Sequence, residues 1–121
     1  MMGLNKSIIL QGEIWKCNFD PQVGSEIAKS RPAIVISSDK FASFSTKIVV
    51  PLTTWRDKFE GAPFMVRIEP NLENGLSNPS AANCLQVKSF DRLRFVRKLG
   101  TIDRETHLTI SLILFSSIKP F

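Results

Sequence analysis

The sequence predicts a mainly β domain: an antiparallel sheet rolled into a small, partly open barrel, with one helix at the C-terminal end. Three observations point there. Five or six short apolar or alternating runs follow one another between Gly12 and Thr101, each of strand length. Turn-forming residues separate them, including Pro21 and Gly24, then the Asn-, Gly- and Pro-dense stretch from Pro70 to Asn78. Only the stretch after Asp103 repeats its apolar residues at helical spacing, at Leu108, Leu112 and Phe115. The chain of 121 residues reads as a single domain, with a lead-in over 1–10, the barrel over 12–101 and the helix over 103–118.

Met1 to Ser7 reads as a frayed lead-in. Gly12 to Phe19 alternates as a strand with Trp15, Cys17 and Phe19 on one face, and the apolar Ile14 implies partial cover on the other. Pro21 to Arg31 is a polar loop carrying Ser25, Glu26, Lys29, Ser30 and Arg31. From Pro32 to Ser37 the run Ala33-Ile34-Val35-Ile36 is short, β-branched and uncharged, the pattern of a strand buried on both faces. Ser38-Asp39 is expected to start a short turn or a single helical turn through Phe41 and Phe44. Lys47 to Thr54 is a third strand, in which Pro51 removes a ladder donor and implies an edge, a bulge or a bend.

Trp55 to Gly61 is a charged loop, and Pro63 to Ile68 alternates as a fourth strand. Pro70 to Asn78 is expected to be a turn without lasting structure. Ser80 to Phe90 and Arg94 to Thr101 are two further strands around a polar Asp91-Arg92 turn. Alternation there sets Arg92 and Arg94 on one face, where they either line a groove or face water. Asp103 caps the final helix, Glu105 suits its dipole, and Pro120 stops it. Ile110, Ile113, Leu114 and Ile118 widen its apolar face, which is compatible with a homodimer.

Sixteen Lys and Arg against eleven Asp and Glu leave a net charge of +5, which favours polyanions or acidic proteins as partners. Cys17 and Cys84 lie in apolar runs with no metal-ligand spacing and are expected as buried free thiols, so no metal and no cofactor is implied. The Ile8-Ile9-Leu10 run is too short for a signal-peptide core or membrane span, so a cytoplasmic protein without membrane contact is expected. Arg31, where the loop enters the core, has two readings. It closes a surface salt bridge with Glu26 or another acid, or it presents a guanidinium fork to a phosphate at the mouth of a groove.

Three stretches together also carry a resemblance: Gly12-Glu13-Ile14-Trp15, Asp20-Pro21-Gln22-Val23-Gly24-Ser25-Glu26 and Lys29-Ser30-Arg31-Pro32-Ala33-Ile34-Val35-Ile36-Ser37. With Ile48-Val49-Val50-Pro51-Leu52-Thr53, Gln86-Val87-Lys88-Ser89-Phe90-Asp91 and Arg94, they resemble the MazF/PemK family of toxin endoribonucleases from Gly12 to about Phe115. The resemblance implies an SH3-like barrel, a homodimer, an acidic antitoxin partner, and metal-independent cleavage of single-stranded mRNA. By matched position it implies Arg31 and Thr53 as the catalytic pair, with Ser25, Glu26 and Gln86 in the substrate-contacting loop and groove. Lys29, Trp55 and Lys88 are added as RNA-binding candidates on charge and stacking grounds. Where many relatives carry glycine or Gln-Gly, this chain has Ile27-Ala28, which makes the loop stiffer and more apolar.

Cleaving RNA without a metal uses the substrate's own 2′-hydroxyl as nucleophile and leaves a 2′,3′-cyclic phosphate and a 5′-hydroxyl. Histidine is the usual acid and base near neutral pH, but the one histidine, His107, falls inside the final helix, where packing or a surface role is expected. Arg31 stays protonated and suits charge stabilisation, while Thr53 offers a hydroxyl that both donates and accepts. Two alternatives use the same barrel without catalysis: a binder of a protein target in the manner of gyrase poisons, or a basic RNA-binding module.

Overall fold

The computed structural model describes residues 8–121, so the lead-in reading for Met1 to Ser7 lies outside the described residues. Among the described residues, seven strands form one open sheet: β1 (Glu13–Asn18), β2 (Ser30–Val35), β3 (Thr46–Thr54), β4 (Met65–Ile68), β5 (Ser80–Asn83), β6 (Lys88–Asp91) and β7 (Phe95–Thr101). Helix α1 (Arg104–Ile118) follows. The order across the sheet is β4-β5-β3-β2-β1-β7, with β6 also paired to β3, and the ladders are antiparallel.

The sheet buries both faces, as the uncharged β2 run requires. Trp15, Cys17, Ala33, Val35 and Val49 pack on one side with Phe19 and Phe90. Ile14, Ile34, Val50 and Leu52 pack on the other with Ile68 and Ile110. Glu13, although buried, is satisfied: its carboxylate accepts from Leu10 N–H and Trp15 Nε1–H, both at 2.9 Å, and pairs with Lys98 Nζ at 3.1 Å. Burial alone would raise its pKa, but these donors and the lysine together hold it below the usual carboxylate value.

Pro51 marks a change of partner on one side of β3. Thr46 to Val49 pair with β6, Leu52 to Thr54 pair with β5, and Pro51 falls between the two ladders. Its missing N–H therefore breaks no bond on that side, and the strand is central rather than at an edge.

Three expectations need correction. The run from Ser80 to Phe90 is not one strand, because Asn83 Oδ1 accepts from Leu85 N–H and turns Cys84–Gln86 into a 3₁₀ turn between β5 and β6. Arg92 and Arg94 lie in a second 3₁₀ turn, capped by Asp91, so strand alternation does not apply to them. The stretch from Pro70 to Asn78 is ordered. Buried Asn74 donates to Glu69 O at 2.9 Å and accepts from Asn71 and Leu76 N–H, while Thr101 N–H donates to Glu73 O at 2.8 Å. Gly75 (φ +68) and Gly100 permit this docking, since a Cβ on either would fall 2.0 or 2.2 Å from a backbone oxygen of the opposing segment.

Asp103 caps α1 as expected, accepting from Thr106 N–H at 3.0 Å and from the Thr106 hydroxyl at 2.7 Å. The seam against the sheet is Ile110, Ile113 and Leu114. The Leu108, Leu112 and Phe115 stripe is exposed, each residue near 60%.

Candidate active site

A cavity of about 400 Å³ opens where β2 begins and β3 ends. The β2–β3 ladder ends where Ala33 faces Pro51, and Arg31 and Thr53 each lie two residues beyond that end on their own strands. Both Arg31 and Thr53 line the cavity.

Arg31 is half-buried and held at its root, because its Nε–H donates to Ala28 O at 3.0 Å. Its Nη groups make no hydrogen bond or ion pair with any described residue. The loop behind it is braced at the base. Asp20 Oδ1 accepts from Lys29 N–H at 2.7 Å, and Phe19 N–H donates to Lys29 O at 2.8 Å. Arg94 Nη1 donates to Asn18 O at 3.0 Å and Asp20 O at 2.7 Å, with its guanidinium over the Phe90 ring. Ile27 packs against the core, so the departure at Ile27-Ala28 does tie the loop down.

The other candidates lie outside this cavity. Ser25 and Lys29 are exposed on the loop, and Glu26 forms an ion pair with Lys88 Nζ at 3.3 Å, uniting two candidates with each other. Gln86 sits half-buried in the 3₁₀ turn after β5. Trp55 follows β3; its ring meets Phe59 edge-on at 5.8 Å and carries the Arg67 guanidinium at 5.0 Å. Arg94 is committed to bracing the loop. His107 lines a different cavity from Arg31, together with Gln11 and Gly12, with Nε2 buried and unpartnered among the described residues and its pKa pushed down by burial.

Sequence reasoning missed Lys16, Arg97 and the segment Gly75 to Asn78, all of which line the cavity. Lys16 faces Arg97 across β1 and β7. The sequence had singled out Arg92 and Arg94 as either lining a groove or facing water, and neither lines this cavity. The charged residues lining the cavity are Lys16, Arg31 and Arg97, with no carboxylate among them. Among the described residues, no group of three or more His, Cys, Asp or Glu is placed to hold a metal ion. No described helix is long and apolar enough to cross a membrane.

Residues 10–114 match the family described as PemK-like, MazF-like toxin of type II toxin-antitoxin system. Endoribonuclease MazF9 of Mycobacterium tuberculosis is 33% identical over 98 residues, 76% of this chain and 80% of that protein. Endoribonuclease EndoA of Bacillus subtilis is 28% identical over 98 residues, 81% and 84% of the two chains. In fold the chain is similar to MazF of Deinococcus radiodurans, with TM-score 0.78, 23% identity and coverage of 93% of this chain and 98% of that one. It is also similar to a MazE-MazF structure from the same organism, with TM-score 0.72, 24% identity and coverage of 96% and 100%. The chain belongs to the PemK-like, MazF-like toxin family of type II toxin–antitoxin systems.

Proposed function

We propose that this chain is a single-domain, cytoplasmic endoribonuclease toxin that cuts single-stranded RNA, mRNA in the first instance, without a metal ion. The observation that carries the reading is the meeting of Arg31 and Thr53 at one cavity whose charged lining is wholly cationic. The names of its relatives, Endoribonuclease MazF9 and Endoribonuclease EndoA, support the same activity.

In the proposed reaction the substrate 2′-oxygen attacks phosphorus and the P–O5′ bond breaks. The proton lost from the 2′-hydroxyl is balanced by the one gained at the 5′-oxygen, so no water is consumed. The Arg31 Nη groups donate to the non-bridging oxygens, where charge builds in the transition state. Anchoring Nε on Ala28 O fixes the guanidinium before substrate arrives, which lowers the reorganisation needed. The Thr53 hydroxyl orients the 2′-oxygen or the phosphate beside it. Ser25, Glu26, Lys29, Trp55, Gln86 and Lys88 belong to the outer RNA path, with the Glu26–Lys88 pair opening as the strand enters.

An acidic antitoxin is the proposed protein partner, on the family's definition and the net charge of +5. A homodimer is proposed through the exposed Leu108, Leu112 and Phe115 stripe. The test is incubation of purified protein with mixed RNA in EDTA, followed by primer extension and analysis of the ends. Expected are discrete cuts at one short sequence, leaving 2′,3′-cyclic phosphates and 5′-hydroxyls. Intact RNA, or cuts that appear only with added Mg²⁺, would overturn the proposal.

A further inference from the structure

Lys16 and Arg97 stand directly opposite each other on β1 and β7. Like charges at such a position work against the sheet. Neither side chain has a hydrogen bond or ion pair with a described residue, and no acid lines the cavity they share with Arg31. An uncompensated cation pair is the kind of local conflict that a fold keeps where it serves a site.

The sheet order explains what that site is. Thr53 on β3, Arg31 on β2, Lys16 on β1 and Arg97 on β7 line the one cavity from four successive strands, in a staggered row because Lys16 pairs with Pro32, one residue along from Arg31. With strands about 4.8 Å apart, the row runs roughly 14 Å across the sheet. One phosphate held between Arg31 and Thr53 occupies only one end of that row. We infer that Lys16 and Arg97 together bind a second phosphate of the same RNA strand, neighbouring the scissile one, and so fix the register in which the strand lies over Arg31.

This rests on the nuclease reading for its substrate, but its test does not require cleavage. A 2′-O-methyl-substituted single-stranded RNA 12-mer cannot be cut through its 2′-oxygens, and its affinity is measured against salt. Each phosphate contact on a single strand contributes about 0.7 to the slope of log K against log salt. Lys16→Gln/Arg97→Gln should lower the slope by about 0.7, which is roughly five-fold weaker binding at 0.1 M salt and about 25-fold at 0.01 M. Lys119→Gln, an exposed lysine past α1, controls for general charge and should leave the slope unchanged.

A structural role would give the opposite thermal result. Relieving the Lys16–Arg97 repulsion should leave Tm unchanged or raise it by up to ~5 °C. An unchanged salt slope, or a slope change accompanied by a fall in Tm, overturns the inference. If the wild type cuts no RNA yet the slope falls as stated, the second-phosphate site stands and the nuclease proposal fails. If it cuts and the slope does not move, the site alone fails.

Discussion

Gly75 is where the loop over 70–78 touches β7, and Gly75→Ala should loosen the cavity wall that this loop builds. Two costs add. An L-residue at φ +68 costs about 1–2 kcal/mol. The new Cβ would lie 2.0 Å from Leu99 O, whereas an ordinary carbon–oxygen contact is about 3.3–3.6 Å, so one backbone must retreat by more than an ångström. That retreat loosens the Thr101 N–H to Glu73 O hydrogen bond, worth about 0.5–1.5 kcal/mol. Gly61→Ala is the control: its φ is +82, but nothing lies within 4 Å of the added carbon, so it bears the backbone cost alone. Both substitutions restrict the unfolded chain equally, and that gain cancels in the comparison. Urea unfolding should show Gly75→Ala less stable than Gly61→Ala by about 1 kcal/mol or more. Equal losses, or a smaller one at Gly75, would refute the docking of this loop on β7.

Other perturbations test separate parts of the structure. Burial pushes the Cys17 thiol up to about 12 and Cys84 up to about 11, so neither should react with a thiol reagent at pH 8 until the protein is unfolded; fast labelling of native protein would contradict their burial. His107 has its pKa held below 6.5 by burial, so the unfolded chain takes up that proton first as pH falls. Stability from this group is full above 6.5 and is lost as pH drops toward the lowered native value. His107→Gln should therefore flatten the fall in urea midpoint between pH 8 and pH 5, and an unchanged slope would place the ring in water. Asp103→Ala should cost about 1 kcal/mol by removing the cap on Thr106 N–H, measured by thermal unfolding.

Local periodicity carried much of the fold. Trp15, Cys17 and Phe19 share a face because a strand has period two, and Ile14 finds cover on the other face as the pattern implied. The break at Pro51 was legible as a break, but its cause, a change of partner from β6 to β5, depends on residues far along the chain. Asn83 carried an unread signal, since a side-chain acceptor two residues before Leu85 N–H is a turn device. In α1 the set 108, 112, 115 and the set 110, 113, 114 are both at helical spacing, so periodicity could not choose the buried seam.

The site divides along the same line. Arg31 and Thr53 were reached through resemblance, and the structure sets both on the lining of one cavity, just past the end of the β2–β3 ladder. Lys16 and Arg97 are distant in sequence and meet only through β1–β7 pairing, which no local pattern encodes. The loop over 70–78 looked structureless because its order comes from one buried asparagine and two glycines that let backbones touch.

The most direct test of the proposed site is the single-turnover rate of cleavage of one short RNA substrate by wild type, Arg31→Ala and Arg31→Lys, with thermal unfolding run alongside. Wild-type protein should cut in EDTA, Arg31→Ala should cut about 10²–10³-fold more slowly at unchanged Tm, and lysine should recover only part of that loss because it lacks the planar fork. Full activity of a folded Arg31→Ala protein would contradict the assignment of the guanidinium to the scissile phosphate.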